Sequence, residues 1–438
     1  MTTAPLPLIA AAPGTPPAIL SRLSIMMFFQ FAIQGAWLPL LFPFLLKHVG
    51  IEQTIVGNIL AVGAIGAMLS PLIAGQIADR YMNAERVMAI CHLVGSAVVL
   101  RIAYANNPNE LYVLSFVYGL LYTPTLALVN AISFRHLPDP SRDFGKVRVW
   151  GTAGWIVSGI AIGQWLYFKA GNDKPLQFAF MADAMKIAAT MGVFLAIYSL
   201  TLPATRPSPS RQRFAPAEAL REIVRQPLLT LFILTFIVAG LHAFFFARMT
   251  DYLTAGRLSV PEDSWLNKIF GVGGGGISTI GQFSEVIVLA MMPLIVKRFS
   301  RKTLFAVGLT AYALRFFAFA YLPYTWAIVP ALALHGIVFG CFFFLVFITI
   351  DEHTTKDVRS SAQNVFNLII FGIGVIWGNW LSGQLGAWVT KPDKTLDWQT
   401  FYAVPGWITV GCLAVLLVMY PRKSLVESPA RGFEPVMK

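Results

Sequence analysis

PATRPSPSRQRFAPAEALREIVRQ, residues 203–226, is the longest polar stretch inside an otherwise apolar chain of 438 residues. It carries proline, serine and five arginines, with a short helical pattern after Pro216. On both sides of it lie stretches long enough to cross about 30 Å of hydrocarbon. Before it they fall near 24–46, 53–77, 87–105, 109–134, 145–168 and 178–201. After it they fall near 227–254, 269–296, 303–323, 327–350, 361–389 and 398–420. Six, a break, then six predicts an all-α integral membrane protein of twelve transmembrane helices in two bundles, 23–202 and 227–421. The stretch 203–226 is then a cytoplasmic linker, 1–22 a disordered cytoplasmic tail and 422–438 a second tail.

Composition agrees with a membrane domain. The chain is 56% hydrophobic and 12% charged, where a soluble protein carries about a quarter charged residues. Its mean hydropathy is +0.66. The net charge of +12 does not point to nucleic acid, because the basic residues sit in short connectors and form no basic helix or aromatic platform. The tail at 1–22 lacks the basic start of a cleaved signal peptide. Cys91, Cys341 and Cys412 stand singly in apolar stretches, and the six histidines are scattered. Neither pattern suits a metal or a disulfide framework.

Loop charge predicts orientation. Arg86, Arg135, Arg142, Lys146, the linker arginines, Lys297, Arg298, Arg301, Lys302, Arg422 and Lys423 fall on the side of the termini. The opposite side holds mainly Lys47, Lys169, Lys174, Arg257, Lys268, Lys391 and Lys394. The bias places both termini in the cytoplasm of a multi-pass inner-membrane protein. Two six-helix bundles with a basic linker are the layout of the major facilitator fold, whose substrate sits between the halves near the midplane. GQIADRYMNAER, residues 75–86, looks like that superfamily's short charged loop, with Gly75, Asp79 and Arg80 in order.

Ionisable groups deep in a membrane helix face a cavity or a partner. Asp183 with Lys186, and Arg248 with Asp251, stand at i, i+3 and can pair on their own helices. The first reads as structural and the second as structural or gating. Arg315, on a helix usually peripheral in this fold, reads as structural. Glu285 has no basic residue within a helical turn and has Gln282 at i−3. A carboxylate taken out of water holds a proton more readily, so Glu285 can load and release one as its exposure changes. Arg148, Thr152 and Trp155, at i, i+4 and i+7, share one helix face. A cation, a hydroxyl and a π-surface in one stripe suit a polar ligand with a flat ring, although Arg148 can also simply snorkel to the membrane surface. Phe339 and Phe343 are a second aromatic pair at i, i+4. Gln30, Gln34, Asn130, Asn364 and Asn367 supply amides that either bind a ligand or join helices. GVGGGG, residues 271–276, lacks the Gly-Lys-Ser/Thr of a phosphate loop and reads as a helix end built for close packing. Nothing suggests an enzyme.

VRVWGTAGW (147–155), GQFSE (281–285), FGCFFF (339–344), TPTLALVNAISF (123–134) and RSSAQ (359–363) resemble the matching segments of bacterial nucleoside permeases. These form the nucleoside:proton symporter family of the major facilitator superfamily. FQFAIQGAWL in the first helix and LDWQT before the last extend the likeness over nearly the whole chain. The resemblance implies that Arg148, Thr152, Trp155, Gln282, Glu285, Phe339 and Phe343 contact the nucleoside, with Glu285 coupling the proton. It implies a proton as coupling ion and no other cofactor; the expected working form is a monomer in the lipid bilayer. The family's amides on the seventh helix are missing from GLHAFFFARMTDY (240–252), where His242 and Phe245 are the nearest substitutes. The family's acidic residue after the second aromatic of the tenth helix is replaced by Phe344. The reading is nucleoside import by proton symport with alternating access. A sugar or polyol symporter of the same fold, or a membrane nucleoside sensor without transport, are the alternatives.

Overall fold

A computed structural model describes residues 14–207, 216–254, 264–355 and 358–421, apart from the side chains of 71–80, 141, 216–218 and 360. The side chains of Asp79 and Arg80, most of the two tails and linker residues 208–215 therefore lie outside the described residues; the backbone of 75–80, expected in a loop, belongs to α2. Twelve long helices run through the rest: α1 Pro17–Val49, α2 Gln53–Arg80, α3 Ala84–Ile102, α4 Pro108–His136, α5 Pro140–Ala170 and α6 Lys174–Ser199. After a short linker helix, Pro216–Ile223, come α7 Leu228–Thr254, α8 Gly275–Arg298, α9 Arg301–Tyr321, α10 Thr325–His353, α11 Ser361–Trp388 and α12 Trp398–Met419.

Ten of the twelve are long and apolar enough to cross a membrane. The other two have local reasons to fall short. Glu85, Arg86 and Arg101 charge both ends of α3, and glycine, serine, threonine and glutamine dilute the middle of α5. Polar residues just ahead of the apolar runs set several starts. Asp139, Asp173, Ser300 and Asp397 each accept a backbone N–H of the first turn of α5, α6, α9 and α12, relieving donors that have no partner inside the helix.

Two boundaries differ from the sequence reading. Helix α1 begins at Pro17, inside the expected tail of 1–22, because proline is favoured in a first turn and the run after it is already helix-forming. The eighth span was expected from 269 in one piece. Instead a short helix, Trp265–Phe270, stops at a glycine turn and α8 starts at Gly275. Gly271, Gly273 and Gly274 adopt φ of +70°, +77° and +76°, the region glycine enters without a steric cost. The turn also lets α5 come close: a Cβ on Gly271 would lie 1.9 Å from the carbonyl carbon of Gly163.

Buried apolar side chains form two cores. One draws on residues 23–202 with Ala247 and Val272, the other on residues 219–420. The start of α1 and the end of α12 share one end of the molecule, here the terminal end. At the opposite, distal end the halves touch. Gln53 Nε2 donates to Thr390 Oγ1 at 2.7 Å, and Arg248 Nη1 donates to Gln53 Oε1 at 2.7 Å. The Val272 N–H reaches the Gly163 carbonyl at 3.0 Å, and Gln164 Nε2 reaches that of Lys268 at 2.8 Å. At the terminal end the ion pairs among the described residues stay within a half: Asp143 with Arg142 and Lys146, Glu352 with Arg301, and Asp351 with Arg359.

Candidate functional site

The contact of α8 with α10 builds the centre of the site. Ser284 Oγ donates to the Ala333 carbonyl at 2.5 Å, and a Cβ on Gly336 would lie 2.4 Å from the Ser284 carbonyl oxygen. Small residues let two membrane helices approach this closely. One consequence is that His335, next to Gly336, lies against Gly281 and meets Glu285. The distance from His335 Nε2 to Glu285 Oε2 is 3.3 Å, with side chains 3% and 19% exposed.

This corrects one expectation. Glu285 is not unpartnered; its neighbour comes from another helix, which spacing along α8 does not reveal. Beyond His335 the chain of polar groups continues into α9. Arg315 Nη1 lies 3.3 Å from His335 Nδ1, and its guanidinium carbon sits 3.6 Å from the ring centre of Phe245. His242 of α7 stacks on His335, with centroids 5.4 Å apart and planes at 23°. Phe343 packs edge-on to His242 at 5.1 Å, and Phe339 lies 6.2 Å from His335.

Phe339 opens a π-helical turn, Phe339–Phe344, within α10. Such wide turns are rare and recur at functional sites. Phe339 and Phe343 remain neighbours, with ring centres 6.1 Å apart. Gln282 is buried on α8, and its Oε1 has no hydrogen-bond partner.

From the other half, Arg148, Thr152 and Trp155 are all partly buried on α5. Arg148 lies over the ring of Phe31 of α1 at 4.4 Å. It is within electrostatic reach of Glu285 across the seam. A cation of one bundle and an acid of the other thus lie near the seam, Arg148 against Phe31 and Glu285 against His335.

Several sequence candidates are placed elsewhere. Phe245 is 0% exposed and packs on Phe316, Phe319 and Tyr402 inside one core. Phe246 instead joins His242 at 4.8 Å and His335 at 5.4 Å. The reason is helical geometry: i+4 lies nearer the face of i than i+3 does. Gln30 is fully buried, its amide engaged by Thr125 and His92 at 2.7 and 2.9 Å, so it holds α1 to α3 and α4. Asn364 is exposed near the terminal end of α11. Gln34 and Asn130 are partly buried. The two helical pairs form as read: Lys186 with Asp183 at 2.9 Å, and Arg248 with Asp251 at 2.8 Å.

His335 and Phe246 were not among the sequence candidates. A signal for His335 existed. A histidine inside an apolar run, four residues before Phe339, is a costly placement that asks for a partner.

The profile of the nucleoside H+ symporter family matches residues 18–425. The chain belongs to that family. It is a proton-coupled nucleoside importer, a multi-pass membrane transporter and not an enzyme, and the proton is its coupling ion. It is 28% identical to the xanthosine permease of Escherichia coli over 412 residues, 88% of this chain and 92% of the relative. It is 26% identical to the nucleoside permease NupG of the same organism over 416 residues, 92% and 96% of the two chains. In structure it resembles the nucleoside transporter NupG with a TM-score of 0.80, at 23% identity, over 92% of this chain and 100% of the other. The fold is thus the two-bundle major facilitator fold, for which alternating access is general.

Proposed function

We propose that the nucleoside binds at the seam between the halves, 23–202 and 227–421, and that Glu285 carries the coupled proton. Arg148, Thr152 and Trp155 contribute from α5, Gln282 and Glu285 from α8, Phe339 and Phe343 from α10, and His242 with Phe246 from α7. Aromatic rings stack on the base, while the orphan Gln282 Oε1 takes a donor from the ligand. A buried acceptor without a partner costs free energy until a ligand supplies one. Loop charge supports a cytoplasmic terminal end, so contact at the distal end corresponds to a carrier open to the cytoplasm. The working unit is a monomer.

The observation that carries this reading is Glu285, an acid in mid-helix whose side chain is 19% exposed and meets His335 of α10 at 3.3 Å, with Arg148 of the opposite half within electrostatic reach. Protonation from outside neutralises the carboxylate and lets the loaded seam close and reopen inward. Release to the cytoplasm restores its attraction to Arg148. The test is uptake of radiolabelled uridine, adenosine and xanthosine into proteoliposomes, with and without an inward proton gradient. Gradient-driven accumulation lost in Glu285→Gln, with exchange retained, is expected. Full accumulation by that variant would remove Glu285 from the coupling step, and no accumulation of any nucleoside by the wild type would remove the reading itself.

A further inference from the structure

We propose that His335 is a positioning residue for proton coupling: a neutral imidazole, locked by Arg315 in one tautomer, whose Nε2–H holds the Glu285 carboxylate and does not itself carry the proton. The proposal rests on the assignment of Glu285 as the coupling group.

The argument begins with donors and acceptors. A guanidinium can only donate, so the Arg315 Nη1 contact at 3.3 Å needs a lone pair on His335 Nδ1. A neutral imidazole with a lone pair on Nδ1 carries its hydrogen on Nε2. That nitrogen faces Glu285 Oε2 at 3.3 Å. The contact is longer than the about 2.8 Å of a tight charge-assisted bond, and such contacts are often long before substrate binds. His335 therefore presents a fixed donor to the carboxylate.

The surrounding charges exclude the other role, a relay in which His335 accepts the proton. Three groups face His335, namely Glu285 from α8, Arg315 from α9 and His242 from α7, and beyond Glu285 lies Arg148 from α5. A second proton on His335 would sit on Nδ1, directly against the guanidinium. It would also place a cation face to face with the stacked His242 ring. Among the described residues Arg315 has no carboxylate within 4.0 Å, and its side chain is 1% exposed. Through the imidazole, the Glu285 anion is the charge that answers it. The geometry joins Arg315, His335 and Glu285 into one unit in which only the last gains and loses a proton.

Glutamine separates the two roles. Its amide can donate to Glu285 and accept from Arg315, as the proposed tautomer does, but it does not titrate. Wild type, His335→Gln, His335→Leu and Glu285→Gln are reconstituted, with the best accumulated of uridine, adenosine and xanthosine as probe. Gradient-driven accumulation and exchange at equal pH on both sides are measured for each. Accumulation by His335→Gln is expected within about threefold of wild type. In His335→Leu, loss of a hydrogen bond to a charged group should reduce accumulation about tenfold or more, with exchange within about threefold. Loss of accumulation in His335→Gln with exchange intact would overturn the proposal in favour of a relay. Parallel loss of both activities in His335→Leu would overturn it in favour of a packing role. Should the leucine variant not fold, His335→Gln alone still decides between positioning and relay. Failure of wild-type accumulation, or full activity of Glu285→Gln, would instead sink the underlying assignment of Glu285.

Discussion

The Arg248 guanidinium and the Asp251 carboxylate meet at 2.8 Å with side chains 1% and 0% exposed, at the end of the molecule where the two halves touch. One guanidinium nitrogen is held by its own helix. Another reaches across to Gln53, and the plane lies 4.5 Å from the ring centre of Phe42. A charge belonging to one half is thus wedged into the other, and the half that carries it supplies the counter-charge.

Two substitutions here should behave differently. Arg248→Met leaves Asp251 buried without its cation, which costs about 3–5 kcal/mol and should appear as a lower melting temperature in detergent. Gln53→Leu strands no charge; it removes both bonds that Gln53 makes where the halves meet, the one to Thr390 and the one from the charged Arg248, the latter worth about 1.5–3 kcal/mol. Its expected effect is a shift of about tenfold or more toward the distal-open state. Spin-label distances between the α1–α2 and α11–α12 loops read that shift. An unchanged distance distribution in Gln53→Leu would mean that these bonds do not help seal the distal end.

Phe245 and Phe246 are adjacent in sequence and divided by function. Phe245 is fully enclosed in the core formed by α7, α9 and α12 and lies under the Arg315 guanidinium. Phe245→Ala should leave a cavity costing about 3–5 kcal/mol and lower the melting temperature. Phe246 is partly buried beside His242 and His335. Phe246→Ala should raise the KM for nucleoside several-fold, in keeping with about 0.5–1.5 kcal/mol for an aromatic contact, with a small change in melting temperature. The reverse assignment of the two effects would show that His242 faces away from the ligand.

How far the sequence reached follows from which forces act along one helix. The spans were legible because hydrocarbon demands unbroken apolar runs, and the pairs Asp183–Lys186 and Arg248–Asp251 because i, i+3 neighbours meet on the helix that carries them. Glu285 was legible as an expensive group in mid-helix. Its partner was not, because the closeness of α8 and α10 depends on Gly281, Ser284 and Gly336 acting between helices. The π-helical turn at Phe339 leaves no signature in hydrophobic spacing. Phe245 was misplaced by a single position, although spacing along α7 already sets Phe246, four residues on, nearer the face of His242. Gln30 showed the opposite difficulty: an amide that suits a ligand equally suits Thr125 and His92.

Asp143 supplies a pH test that is separate from coupling. It lies in the first turn of α5 at the terminal end, ahead of the apolar run, and its side chain is 4% exposed. Hydrogen bonds from Arg142, Lys146 and Thr15, at 2.8, 2.7 and 2.6 Å, hold its carboxyl well below the usual carboxylate range. In the unfolded chain the group titrates near pH 3.9, roughly. A folded-state value below the unfolded one means that the stabilisation is fully present above about pH 4 and fades only as pH falls through the folded value. Asp143→Asn should therefore melt at a lower temperature than wild type by an amount that stays constant between about pH 5 and pH 8. The gap should narrow only in stronger acid, and the pH dependence of nucleoside uptake should be unaltered. A gap that varies across the neutral range would assign Asp143 a protonation change within the working cycle and join it to the proton pathway.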